Sequence, residues 1–95
     1  MKSPYRLPIS RTDAEHAPIL AGLRQAGRPV ADTHALGQGF PDAVVGTGYY
    51  QIVLLEIKAP GQDLNDRERT FWDYWAGYPQ LRLARSLEEA LELTR

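Results

Sequence analysis

Apolar positions along the chain change period several times, and each change marks an element. Ile19, Leu20, Leu23 and Ala26 recur at three- and four-residue spacing. That spacing predicts a helix over Asp13 to Ala26, stopped by Gly27. Pro18 complicates its start, because proline suits only a first helical turn, where its missing N–H has no partner to lose. The regular helix is therefore expected from near Ala17, with Asp13 to His16 as a looser approach. Residues 1–12, with Pro4 and Pro8, read as an extended arm. Pro29 to Thr33 is a short strand weakened by its proline. Ala43 to Val45 and Tyr50 to Ile57 are stronger strands, joined by a turn at Gly46-Thr47-Gly48. Ile52-Val53-Leu54-Leu55 is apolar on both faces, which predicts a central strand covered on both sides.

Lys58-Ala59-Pro60-Gly61 ends that strand. Asn65 with Glu68 three residues on has the form of a capping box, and so has Ser86 with Glu89. Phe71, Trp72 and Trp75 give the first of these helices an apolar stripe, to be used as core or as a dimer interface, and Gly77 ends it. Leu81-Arg82-Leu83 is a fourth strand. Leu87, Ala90, Leu91 and Thr94 give the last helix its buried side. The order is helix, three strands, helix, strand, helix: an α/β chain whose 95 residues make one domain.

Composition narrows the classes. Cysteine is absent, which excludes a disulfide framework and a thiolate metal site. No stretch has the apolar length of a membrane span, and the first residues lack the apolar core of a signal peptide, so a cytoplasmic location is the default expectation. Net charge is −1, low for a nucleic-acid binder. Its distribution is uneven, with five basic and three acidic side chains in residues 1–35 and five basic and seven acidic in residues 61–95. A small domain with so little basic surface would widen its grip by forming a homodimer.

The candidate chemistry lies in two strings, Gly37-Gln38-Gly39-Phe40-Pro41-Asp42 and Glu56-Ile57-Lys58. Two adjacent strands joined by a tight turn would bring Asp42 and Glu56 side by side. Residues two apart in a strand face the same way, so Glu56 and Lys58 share a face while Ile57 points into the other layer. Two carboxylates and a lysine on one sheet surface form a site for Mg²⁺ or Mn²⁺ with a cationic helper, the equipment for hydrolysing a phosphodiester. Lys58 would either orient and help deprotonate the attacking water or stabilise charge on the phosphate. The plain alternatives are a turn aspartate at Asp42 and an exposed Glu56–Lys58 ion pair closing a strand. The glycines around Gln38 suggest a close backbone approach to the metal site or to DNA, and Gln38 is a candidate DNA contact. Arg11, Arg24 and Arg28 are candidate phosphate contacts, or else solvated surface arginines. His34 reads as a surface histidine.

These strings resemble the signature of the PD-(D/E)XK nuclease superfamily, Pro41-Asp42 followed by Glu56-Ile57-Lys58. Gly37 to Asp42, Leu64 to Phe71 with Trp75-Ala76-Gly77, and Ser86 to Leu91 are similar to its VRR-NUC branch, and the resemblance covers residues 11–94. It implies a restriction-endonuclease-like αβββαβ core with a mixed four-stranded sheet flanked by helices. It also implies a metal-dependent DNA endonuclease that leaves 5′-phosphates and acts as a homodimer on branched DNA such as Holliday junctions. In that family the backbone carbonyl at the Ile57 position adds a metal ligand, and a first-helix acid often lies near the metal. Here Glu15 is the natural acid, while His16 would hydrogen-bond a metal-bound water or the phosphate; Thr12 with Glu15 as a simple capping box is the competing reading. The rival functions are a non-catalytic nucleic-acid-binding module that keeps the fold, and an interaction subunit whose acids hold a structural cation.

Overall fold

The computed structural model describes residues 11–95, with side chains from His16 onward. The described residues form a small α/β domain with three helices and a mixed four-stranded sheet. Its elements are α1 (Arg11–Gln25), β1 (Val30–Asp32), a 3₁₀ turn (His34–Leu36), β2 (Ala43–Gly46), β3 (Ile52–Ile57), α2 (Asp66–Tyr74), β4 (Leu81–Ala84) and α3 (Leu87–Leu93). Strand order follows the chain: β1–β2 and β2–β3 are antiparallel, and β3–β4 is parallel with α2 in the crossover.

α1 starts earlier than the sequence suggests. It runs unbroken through Pro18 and takes in Arg11 and Thr12, which the sequence places in an extended arm. Thr12 therefore lies inside the helix and is not its cap. The physical reason is tertiary. An interior proline costs ~3 kcal/mol. Each aliphatic side chain buried returns ~1.5–3 kcal/mol. Ile19, Leu20 and Leu23 are all buried, and Pro18 faces solvent, so packing outweighs the lost hydrogen bond. Gly27 closes the helix at φ +90°, and Arg28 N–H donates to the Leu23 carbonyl.

The core lies between one sheet face and α1 with α3. Ala43, Val45, Val53, Leu55, Ile57 and Ala84 supply the sheet side, and Ile19, Leu20, Leu23 and Ala90 the helices. β3 is central, as its apolar run predicts, but only one of its faces is fully covered. Ile52 is 54% exposed and Leu54 half-buried. The helix above that face, α2, buries none of its residues, so Phe71, Trp72 and Trp75 are only half-buried. Phe71 and Trp75 form an aromatic row with Phe40 and Tyr78 in place of a core stripe.

The β2–β3 turn falls later than Gly46-Thr47-Gly48. Gly46 still pairs with Ile52, Thr47 N–H donates to the Gln51 carbonyl, and the Thr47 hydroxyl accepts from Tyr49 and Gln51 N–H groups. Tyr50 takes a left-handed φ of +60° at the tip, so β3 begins only at Ile52. Asn65 and Glu68 form the expected capping box. In α3, the Ser86 hydroxyl caps Glu89 N–H, but the Glu89 carboxylate reaches past Ser86 to Arg85 N–H, so only half of that box closes. Among the described residues no helix is long and apolar enough to cross a membrane.

Candidate metal centre

The β2–β3 register sets the site. Ala43 pairs with Leu55, and one step beyond the ladder Asp42 comes opposite Glu56. Both side chains are buried, Asp42 at 7% exposure and Glu56 at 1%. Glu56 alternates with Leu55 and Ile57, so it and Lys58 fall on the face away from the core, on the side where α2 begins. Asp42 Oδ2 accepts a 2.7 Å hydrogen bond from Ile57 N–H. The structure thus brings Asp42, Glu56, Ile57 and Lys58 together.

Pro41 prepares this geometry. The Thr47–Gln51 bond sets the phase of the ladder, so odd-numbered residues exchange bonds across β2 and β3. The next pair at the site end is Pro41 with Ile57. Proline has no N–H to give, so the Ile57 carbonyl receives no ladder bond from it. The Pro41 carbonyl accepts instead from the Thr33 hydroxyl at 2.7 Å, while Asp42 takes the Ile57 N–H.

Burial and the neighbouring Asp42 carboxylate push the Glu56 pKa up to about 10, with Glu68 adding to the rise and Lys58 opposing it. Glu56 Oε1 is fully buried and has no hydrogen-bond partner among the described residues. A carboxyl pushed toward its neutral form beside a second acid is a setting that a divalent cation would relieve. A cation there would remove both the desolvation penalty and the unmet acceptor. The donor set of two carboxylates and a carbonyl suits a hard divalent ion.

Lys58 is 6% exposed, and its ammonium lies 2.7 Å from Glu68 Oε1. The same oxygen accepts Asn65 N–H at 2.8 Å. The helix cap and the site lysine therefore share one carboxylate. Glu68 carries only a capping signal in the sequence, and nothing local predicts its second role.

A cleft of about 360 Å³ opens in front of this group, lined among others by Gln38, Asp42, Lys58, Arg67 and Glu68. Gln38 has φ +59° between Gly37 at +67° and Gly39 at +79°. The close approach expected of this loop is real, but it is to α2. A Cβ on Gly39 would run into the Arg67 carbonyl oxygen. Gly39→Ala is accordingly expected to cost ~1–3 kcal/mol, from left-handed strain and a backbone clash together. Urea titration checks this, with an unchanged midpoint as the contrary result.

His16 is 6% exposed, at the rim of the carboxylate pair. Its Nδ1 lies 3.9 Å from Asp42 Oδ1 and has no hydrogen-bond partner among the described residues, and its Nε2 lies 3.2 Å from Asp32 Oδ1. Asp32 also accepts His34 N–H at 3.1 Å. Partial burial raises its pKa, but those two hydrogen bonds and the histidine charges outweigh this and hold its carboxyl below the ordinary value. His16, Asp32 and exposed His34 each place a ligand atom within 4.8 Å of the others. The Asp32–His34 pairing went unread in the sequence because the 3₁₀ turn that makes it carries no apolar pattern.

The remaining candidates lie elsewhere. Arg24 reaches the Val30 carbonyl, which puts it at the Gly46 end of the sheet. Arg28 sits at that end too, donating to the Leu91 carbonyl in the last turn of α3 and to Thr94 Oγ1 just past it. Neither lines the cleft, because the turn after α1 carries the chain to the end of β1 farthest from Asp42. Arg67, unremarked in the sequence, does line it. The side chains of Arg11 and Glu15 lie outside those described. Comparison with protein-family models, curated proteins and solved structures finds no match to this chain.

Proposed function

We propose that the protein is a divalent-cation-dependent DNA endonuclease with a restriction-endonuclease-like core, of the VRR-NUC branch of the PD-(D/E)XK superfamily. The observation that carries this is the buried Asp42–Glu56 pair, one oxygen of Glu56 without a partner among the described residues, with Asp42 and Lys58 lining one cleft. The Asp42 and Glu56 carboxylates and the Ile57 carbonyl would hold Mg²⁺ or Mn²⁺. The ion would supply Lewis acidity and a bound water of lowered pKa. Lys58 sets a positive charge at the cleft wall, where a scissile phosphate needs it. Glu68 fixes the position of that ammonium. Gln38 and Arg67, which line the cleft, would contact the nucleic-acid backbone.

The test is cleavage of single-stranded, duplex, flap and four-way-junction DNA with Mg²⁺, with Mn²⁺ and with chelator. Metal-dependent cutting is expected, with a preference for branched DNA and 5′-phosphate ends, and Asp42→Ala is expected to abolish it. Binding without cutting on every substrate would favour the non-catalytic module.

The active species is proposed to be a homodimer. Phe40, Ile52, Leu54, Trp75, Tyr78 and Leu81 line an apolar groove of about 500 Å³ on the uncovered sheet face. A second copy would cover it and give a two-fold substrate two sites. Light scattering is expected to show a dimer that Ile52→Glu dissociates. A strict monomer, free and on DNA, counts against it.

A further inference from the structure

Arg24 and Arg28 have basic and aromatic neighbours at their end of the sheet. Arg28 and Arg95 line a cleft of about 340 Å³ beside Gly48. Arg95 and Arg82 line a second cleft, of about 130 Å³, which shares Thr47 with the first. Arg24 reaches the Val30 carbonyl, next to Pro29 of the first cleft. Among the described residues no acid lines either of them, whereas Asp42 and Glu68 line the cleft at the metal centre. Arg95 pairs with Glu92 at 2.9 Å, but both side chains are largely exposed, and such a pair yields readily to another anion. The β2–β3 hairpin rises from these two clefts and ends in Tyr49 and Tyr50. Tyr49 is 76% exposed and Tyr50 101%, so the Tyr50 ring packs on nothing among the described residues. A tyrosine at φ +60° is strained where glycine would be at ease. The tip is nonetheless held firm, because the Thr47 hydroxyl accepts from the N–H groups of both Tyr49 and Gln51. The fold thus presents an aromatic ring at conformational cost and takes no packing from it, which points to a ligand outside the chain.

We propose that this end of the sheet is a second nucleic-acid surface, on which Tyr50 stacks with an unpaired base while Arg28, Arg82 and Arg95 hold the flanking phosphates. The choice of DNA as ligand rests on the endonuclease reading above; the surface itself does not need the metal centre. Every base has a π-face, so stacking requires no particular sequence, and the arginines supply charge that follows the backbone. β3 is six residues long and runs from the tip to the carboxylate pair, so the two lie about 20 Å apart. That is about six nucleotides along a strand. A branched substrate offers an unpaired base at such a distance from a cut, and an unbroken duplex does not.

Binding of a fluorescein-labelled flap DNA in chelator reads this surface without turnover. Tyr50→Gly is expected to weaken binding by about 5- to 100-fold, and Tyr50→Phe to leave it nearly unchanged. The urea midpoint of Tyr50→Gly is expected at or above that of the wild type, because glycine relieves the left-handed strain. A merely structural tyrosine would lose stability and affinity together. Arg82→Ala combined with Arg95→Ala is expected to flatten the plot of log affinity against log salt by about two units. The base analogue 2-aminopurine in the single strand of the flap is expected to be quenched by the wild type and by Tyr50→Phe, and not by Tyr50→Gly. Unchanged affinity and quenching in Tyr50→Gly overturn the proposal. A loss of self-association with DNA affinity intact makes the tip a protein contact and equally overturns it. A flap bound in this way but never cut with Mg²⁺ or Mn²⁺ would instead leave the surface standing and overturn the endonuclease reading.

Discussion

Glu56→Gln is expected to raise the melting temperature of the metal-free protein at pH 8 and to abolish the proposed metal-dependent cleavage. The two effects have one cause. Burial first, and then the Asp42 charge, push the Glu56 pKa from 4.5 to about 10. An acid whose folded pKa is raised binds its proton more tightly when folded than when unfolded. Its contribution is therefore fully present below pH 4.5 and is lost as pH climbs toward 10. At about 1.4 kcal/mol per unit, the loss by pH 8 is on the order of a few kcal/mol. Glutamine keeps the shape and never ionises, so its advantage grows with pH and vanishes near pH 4.5. For a domain of this size each kcal/mol moves the melting temperature by about 4–8 °C. Divalent cation should reverse the ranking by stabilising only the wild type, and more so at higher pH, because binding releases the Glu56 proton. Calorimetry across pH 4.5 to 8 with chelator and with Mn²⁺ checks this. Parallel wild-type and Glu56→Gln curves under all conditions would contradict it.

Lys58→Ala is expected to lower cleavage by about 10²–10³-fold while leaving cation affinity nearly unchanged. Lysine is no ligand, so the loss belongs to the phosphate and not to the metal. The variant should also be less stable, because it strands the Glu68 carboxylate near Glu56. Breaking a buried pair by removing one partner costs ~3–5 kcal/mol; here Glu68 keeps partial solvent access, so the low end applies. The double variant Lys58→Met with Glu68→Gln separates the two effects. Stability should return in the double variant and cleavage should not. Recovery of cleavage together with stability would reduce Lys58 to a structural role.

The parts of this molecule that were legible in the sequence are local ones. Asp42 and Glu56 could be paired from strand alternation and a hairpin, because their register follows from a short connection. The Asn65–Glu68 box and the Gly27 stop are one-turn chemistry. The start of α1 was misjudged because Pro18 speaks for the helix in isolation, whereas Leu20 and Leu23 are paid back by a sheet that lies far along the chain. The bond between Glu68 and Lys58, the Asp32 contact to His16 and the placing of Arg28 at the far end all depend on tertiary approach. None of them leaves a period or a spacing behind.

Pro41 has a consequence for how the sheet closes. A hairpin zips from its turn outward, and each rung favours the next. At Pro41 the zip halts, since an amide hydrogen is missing from the rung that Ile57 would complete. Alanine there would restore that hydrogen, and the carbonyl of Ile57 would be spent on the backbone. The strand would lengthen by one rung and the opening between the two acids would tighten. One imino acid thus settles which partner may claim that oxygen, and leaves the sheet a rung short beside the two acids, where the proposed ion would fit.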